Sequence, residues 1–532
     1  MVQQDQQNHM LGEGTQRNQG RTAQRMNILA AKLIGETVRT TLGPQGMDKM
    51  IVDALGDIVI TNDGATILKE MNIEHPTAKI IVEVAKTQED EVGDGTTTVV
   101  VLAGELLRRA EELIDQNIHP TMIIKGYRIA SEVAQKVLHE ISEEITVKST
   151  ETLRKLAITA MTGKVAENAK EQLATIVVKA LQAVRENDEI DIENIKIEKK
   201  IGSSIKDTEL ISGIVLDKEK VHNNMPKKIT NAKVALIDAP LEIQTTETDA
   251  KISITDPNKL QGFLDMEENM LKKLVKQIVN SGAKVVLCQK GIDEVVQYLL
   301  AQEGIYACRR VKKSDLQKVA KATGARIISN INDLQSIHLG EAGVVEEVKI
   351  ADENMTFIRE CKKPGAVTIL VRATTEHIVD EVARAIDDAL GNVASAIRAK
   401  KIVAGAGATE IELARNIAHY AQKLSGKEQL AVNAFAKAME IIPQTLAENA
   451  GLDPIDVITE LKAAHDKGEK WAGVNVVTGK AINAFKTGIL EPLPIKTQAI
   501  ASASDVAIMI LRIDDVIIAG VQEQQGNPES LE

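Results

Sequence analysis

The sequence predicts a multidomain α/β protein, mainly helical at both chain ends, with an α/β module inserted between them. Three observations carry that expectation. The chain has 532 residues, which at roughly 150 residues per domain corresponds to three or four domains. Apolar residues recur at helical spacing through the first 200 positions and again from 376 onward. Between about 210 and 350, short β-branched runs alternate with helical stretches, the pattern of parallel strands joined by helices.

From the N-terminus, residues 1–20 are polar and read as a flexible arm. In 24–42, Met26, Ile28, Leu29, Leu33, Ile34, Val38 and Leu42 share one helical face, and Gly43-Pro44 stops the helix. Residues 57–61 read as a strand and Asn62-Asp63-Gly64 as the turn after it. Helices follow at 64–71, 77–91, 96–116 and from Pro120 to about Glu140, and 147–200 is charged and helix-rich. Strands are expected at 234–238, 285–288, 306–310, 326–329 and 366–372, with helices at 259–280, 292–302 and 313–322. Long Ala-rich helices are expected at 376–398 and 408–424, with helical patterning through 427–450. Residues 496–517 end in an apolar stretch, and the tail after Gly520 is polar.

Composition excludes several function classes. Aromatics make up 2% of the chain and the net charge is −12, so neither a base-stacking platform nor a basic nucleic-acid surface is expected. Cys288, Cys308 and Cys361 are far apart and read as free thiols, and no metal spacing of Cys or His occurs. The N-terminus has no apolar signal core and no run approaches the roughly 18 apolar residues of a membrane span. A cytoplasmic protein with neither nucleic-acid nor membrane partners is expected.

The chemistry concentrates at Gly93-Asp94-Gly95-Thr96-Thr97-Thr98. Two glycines permit a tight turn, and the threonines open a helix whose first N–H groups have no helical partners. Such a helix start is an anion site, and Asp94 could hold a magnesium ion that bridges phosphates. The same pattern also fits a plain turn in which Asp94 is only an N-cap. Thr41-Leu42-Gly43-Pro44, Thr61-Asn62-Asp63-Gly64, Met161-Thr162-Gly163-Lys164 and Gly405-Ala406-Gly407 are further small-residue turns. Each taken alone is ordinary punctuation. Gly-Lys pairs at 163, 426 and 479 are never followed by Ser or Thr, so there is no P-loop, and no dinucleotide fingerprint occurs.

Longer segments carry a resemblance. TLGPQGMDKM, VITNDGATILKEM, TQEDEVGDGTTTVVVLAGELL, AITAMTGK, IDDAL, VAGAGATEIELA and ILEPLPIKTQAIASASDVAIMILRIDDVI resemble the group II chaperonins, and the likeness runs from about residue 12 to 521. It implies a chaperonin fold: a helical equatorial ATPase domain from 1–147 and 405–532, a small intermediate hinge domain from 148–216 and 370–404, and an α/β apical domain over 217–369. The apical domain would carry a helical lid protrusion at about 244–277, with Leu260, Phe263 and Leu264 near its tip.

The resemblance implies an ATP-driven chaperone. Unfolded or partly folded proteins would be its substrates, and the same or sister subunits in a double ring its partners. ATP and Mg2+ are the implied cofactors. Gly93, Asp94, Gly95, Thr96, Thr97 and Thr98 would hold the phosphates, with Asp94 on magnesium. Leu42, Gly43 and Pro44 would pack on the nucleotide. Gly407, Asn475 and Glu491 match positions that contact base and ribose, and Lys164, beside Gly163, resembles a γ-phosphate sensor. Asp63 and Asp388 look like the carboxylates that orient or activate the attacking water. The chain departs from the family pattern at Gln45, at Ala373-Thr374, at Ala406 and at Pro494. Those departures imply a slower subunit or one that works beside sister subunits. Two other readings compete with the ATP-driven machine: a ring subunit that binds ATP but hydrolyses little, and an unrelated enzyme built on the central module.

Overall fold

The computed structural model describes residues 16–52, 55–146, 149–164, 169–186, 189–243, 257–361 and 365–518. The chain divides into two compact units, one formed by 1–147 with 395–532 and the other by 148–394.

The first unit is a helical body around helix Thr96–Asp115. That helix is apolar on nearly every side: Val99, Val100, Val101, Leu102, Leu106 and Leu107 are all buried. A helix of this kind must be enclosed by others, and Gly20–Arg39, Pro76–Val92, Lys427–Met439 and Leu493–Leu511 enclose it. With so few aromatics, the core is filled by Ala, Val, Ile and Leu. Tyr127 and Phe435 are an exception, meeting edge to face at 5.5 Å between centroids, and the Tyr127 hydroxyl donates to the carbonyl of Leu106 at 2.7 Å. Helix starts repeat one device. His75, His119 and Asp453 each precede a proline and accept a backbone N–H of the first turn, which suits proline because its missing donor costs nothing there.

Both chain ends contribute to small sheets in this unit. Strand Lys401–Ala404 pairs antiparallel with Leu490–Pro492 on one side and with Glu143–Glu144 on the other. Gln16–Gln19 pairs antiparallel with Asp515–Ile518, and Arg17 Nε donates to Asp515 at 3.0 Å. The end of the expected N-terminal arm is therefore a strand, as is the end of the apolar stretch at 496–517. The first helix begins at Gly20 and ends at Arg39, earlier than the apolar spacing suggests.

The second unit contains a seven-stranded mixed sheet. Lys228–Ile237, Val285–Cys288 and Tyr306–Cys308 run parallel, as the alternating pattern predicts, and Ile327–Ile328 joins Lys228–Ile237 in parallel. Gly340–Ile350, Glu353–Arg359 and Gly213–Leu216 complete it antiparallel. That half has no helices between its strands, so the parallel expectation holds only for the first half. The charged stretch at 147–200 is helical at Thr150–Met161 and Lys170–Val184. It then becomes strand Ile195–Ile201, which pairs parallel with Val367–Ala373. Helix Pro257–Ser281 is seen, whereas residues 244–256 of the expected protrusion and the side chains of Leu260, Phe263 and Leu264 lie outside the described residues. Among the described residues, no helix is long and apolar enough to cross a membrane.

Two glycines in the first unit sit in different surroundings. A Cβ on Gly126 would lie 2.4 Å from the Cβ of Ala431, whereas one on Gly104 meets nothing closer than 3.5 Å. Gly126→Ala should force two packed helices apart and cost about 1–3 kcal/mol. Gly104→Ala should be neutral or gain up to about 1 kcal/mol through helix propensity. Guanidinium unfolding midpoints of the two variants check this, and equal midpoints would contradict the packing.

Candidate functional site

The site grows from the turn between helices Pro76–Val92 and Thr96–Asp115. Gly93 and Gly95 both adopt left-handed backbone, at φ of 74° and 84°, a region costly for any residue with a Cβ. Gly95 is also closed sterically, since a Cβ there would lie 2.8 Å from Ile495 Cγ2. Asp94 between them accepts the Gly95 N–H at 2.7 Å, and its carbonyl accepts from Gln88 Nε2 at 2.9 Å. Buried Gln88 reaches on to the carbonyl of Ile495 at 3.3 Å. The N-cap of helix Thr96–Asp115 is Gly95, not Asp94, so the capping position itself offers no side chain to the first N–H groups. The turn is thus framed from behind by Gln88 and Ile495.

Asp63 is brought to this turn. It caps helix Gly64–Glu70, its Oδ2 accepting from both the N–H and the hydroxyl of Thr66 at 2.8 Å. Its Oδ1 accepts from the Thr96 hydroxyl at 3.0 Å. The two segments touch so closely that a Cβ on Gly64 would lie 2.6 Å from Thr97 Oγ1 and 2.9 Å from its backbone nitrogen. Thr96 is buried, and Thr97 and Thr98 are half-buried.

The other predicted residues of this unit form a connected chain of contacts. Leu42 gives its carbonyl to Asn449 Nδ2 at 2.9 Å, and a Cβ on Gly43 (φ 86°) would strike Leu446 at 2.2 Å. Pro44 follows, exposed. In the same helix, Ile441–Asn449, Pro443 blocks any Cβ on Gly407 (φ 76°) at 2.6 Å. Gly405, two residues earlier, has no room for a Cβ because Glu491 Oε1 would lie 2.6 Å from it. Asn475 uses its side-chain oxygen within its own turn, accepting from the N–H of Val477 at 3.0 Å. Its neighbour Val474 donates to the carbonyl of Ala406 at 2.8 Å. Burial pushes the Glu491 carboxyl up, opposed by Lys496 and reinforced by the negative charges of Glu410 and Asp94.

Gly163, Lys164 and Asp388 lie in the second unit. Gly163 is left-handed at φ 84° and ends the segment after helix Thr150–Met161. Lys164 Nζ and the carboxylate of Asp388, on helix Glu376–Ala399, form an ion pair with 16% of each side chain exposed.

The departures resolve differently. Gln45 is exposed. Pro494 sits in the first turn of helix Leu493–Leu511, where proline is at home. Ala373 is buried at a strand end and accepts the Gly202 N–H at 2.9 Å, while Thr374 is exposed. Ala406 alone carries strain, being left-handed at φ 56°. Sequence reasoning missed Lys496, Glu410 and Gln88. The only signal for Lys496 was a lysine inside the apolar run LPIKTQAI.

No group of three or more His, Cys, Asp or Glu among the described residues could hold a metal unaided. The donor set nonetheless fits magnesium, which typically takes one or two carboxylates and completes its shell with phosphate oxygens and water. Asp94, at the phosphate-suited turn, offers such a carboxylate.

A sequence model of the TCP-1/cpn60 chaperonin family matches residues 34–521. The thermosome subunit beta of Archaeoglobus fulgidus is 60% identical over 522 residues, covering 97% of this chain and 96% of its own length. The thermosome subunit of Methanopyrus kandleri is 59% identical over 514 residues, with 96% and 94% covered. That of Pyrococcus horikoshii is 57% identical over 524 residues, with 98% and 95% covered. Likeness at this level along nearly the whole chain means that it belongs to the TCP-1/cpn60 chaperonin family, on the group II side, and is a ring-forming ATP-dependent chaperonin that folds proteins.

Proposed function

We propose that the Gly93–Thr98 turn is the phosphate cradle of this chaperonin's ATP site and that Asp94 is its magnesium ligand. The observation that carries the reading is the junction of Asp63 with Thr96 at the start of a helix whose N-cap, Gly95, has no side chain to cover the first N–H groups. Those donors and the helix dipole suit polyphosphate. Magnesium, when bound, would neutralise charge on the phosphate oxygens. Asp63 is anchored by Thr66 and Thr96, and so is suited to orient the attacking water at a fixed angle. Leu42, Gly43 and Pro44 would line one side of the nucleotide, with Gly407, Asn475 and Glu491 at its base and sugar.

The remaining roles extend the same reading. Asp388 would activate the water and Lys164 would sense the γ-phosphate. Residues 1–147 with 405–532 would serve as the equatorial ATPase domain. Residues 148–216 with 370–404 would form the hinge, and 217–369 the apical domain that takes unfolded chains and closes a lid over them. Exposed Met47, Met50 and Val52 near hairpin Lys49–Val52/Ile58–Thr61 favour burial against the same or a sister subunit in a double ring. The cytoplasm is the compartment that fits three free, buried cysteines.

Steady-state hydrolysis by the assembled particle tests the assignment. Asp388→Ala should lower turnover by about 10²-fold or more, the scale of lost general-base assistance, while ATP binding survives. Equal turnover would remove Asp388 from the chemistry. Asp94→Asn should raise the magnesium concentration needed for half-maximal activity by about tenfold or more, and an unchanged magnesium titration would move the ion elsewhere. Ala406→Gly should relieve about 1 kcal/mol of left-handed strain, most of it offset by unfolded-chain entropy. Stability should therefore barely move while turnover rises, and unchanged turnover would show that this departure does not slow the subunit.

A further inference from the structure

Lys496 is buried, with 5% of its side chain exposed. Its ammonium lies 2.7 Å from Glu410 Oε1 and 2.6 Å from Glu491 Oε2. Three elements meet on it: the first turn of helix Leu493–Leu511, the first turn of helix Ala408–Ala421, and strand Leu490–Pro492. Two carboxyl groups face one cation. Burial works against the Lys496 charge, but Glu410 and Glu491 outweigh it and hold the proton more firmly than in water. Glu410 is itself 2% exposed on its side chain, and its Oε2 makes no hydrogen bond. Removing the ammonium would leave both carboxylates uncompensated, which is costlier than the pair itself is stabilising.

The position of this ammonium is what gives it a role. Glu491 is held at Oε2 by Lys496, and its Oε1 lies over Gly405, where a Cβ would come within 2.6 Å of it. The residue before Lys496 is Ile495, whose side chain packs on Gly95 and whose carbonyl shares Gln88 with the carbonyl of Asp94. One helical turn thus touches the Gly93–Thr98 turn with one residue and holds Glu491 with the next. A flexible glutamate would otherwise have three rotatable bonds to search.

We propose that Lys496 is a positioning residue for nucleotide binding: it fixes Glu491 toward the Gly405–Gly407 turn and keeps that carboxylate in register with the phosphate turn. The proposal rests on Glu491 being a nucleotide ligand. It differs from a purely structural role, in which Lys496 only neutralises Glu410.

The test is ATP hydrolysis by assembled particles carrying Glu491→Gln, Lys496→Met, Lys496→Arg, and the pairs Lys496→Met/Glu491→Gln and Lys496→Met/Glu410→Gln. Lys496→Met should raise KM for ATP by about tenfold with kcat nearly unchanged, the signature of lost binding that is uniform between ground and transition states. Lys496→Arg should recover part of that loss. Adding Glu491→Gln should make KM no worse than the weaker single variant, because groups acting as a unit are not additive. Lys496→Met/Glu410→Gln removes the buried Glu410 charge along with the ammonium but does not replace the missing grip on Glu491, so its KM should stay high. A KM restored in that pair would overturn the proposal, as would a Lys496→Met particle that loses only thermal stability or kcat. If Glu491→Gln alone leaves KM unchanged, the nucleotide reading of Glu491 fails and the positioning role falls with it. A normal KM for Lys496→Met beside an impaired Glu491→Gln sinks the positioning role alone.

Discussion

The enclosure of helix Thr96–Asp115 is the constraint on which the first unit depends. A helix apolar on nearly all sides cannot be left on a surface, so other helices must surround it. Its N-terminus must then emerge through them with its first donors still unpaired by the helix. Gly93 and Gly95 shape that exit, both adopting left-handed backbone between the two packed helices. Gln88 and Ile495 close the back of the turn, and Asp63 closes one flank. The anion-suited end of the helix is therefore a consequence of how the core is packed rather than an addition to it.

Charge is handled in two ways in the two units. Lys164 and Asp388 form an ion pair and each remains partly exposed. Such a pair can exchange partners with water or an incoming group at modest cost, because neither charge is fully desolvated. In the Glu410–Lys496–Glu491 cluster, Lys496 and Glu410 are deeper, so separating them would strand charge in a low-dielectric place. The first arrangement suits residues that change partners during a cycle, and the second suits a fixed scaffold beneath a binding surface.

What the sequence made legible follows the range of the interaction. Helix Thr96–Asp115 and its glycine turn were readable because spacing, small residues and caps are local. The parallel strands Val285–Cys288 and Tyr306–Cys308 were readable for the same reason. Strand Ile195–Ile201 was not, because IKIEKKI is rich in charge and is held as a strand by Val367–Ala373, far along the chain. The pairing of Gln16–Gln19 with Asp515–Ile518 joins opposite ends of the chain, and the antiparallel half of the large sheet has no helical punctuation to announce it. At the site, Asp63 and Asp94 stood out as carboxylates in glycine turns, whereas Lys496 looked like one polar residue in an apolar run. Its meaning appears only when Glu410 and Glu491 arrive from two other elements.

Ala406 shows how the same logic bears on a single departure. The turn at Gly405–Gly407 is crowded on two sides, by Glu491 at Gly405 and by Pro443 at Gly407. Its middle residue gives its carbonyl to Val474 and adopts φ 56° despite its methyl group. The neighbours thus dictate the backbone, and the alanine accepts a left-handed conformation that glycine would adopt freely. Strain of this kind persists only where surrounding contacts over-determine it. Ala406 therefore marks the turn as a place where shape is imposed from outside, by Pro443, Val474 and Glu491.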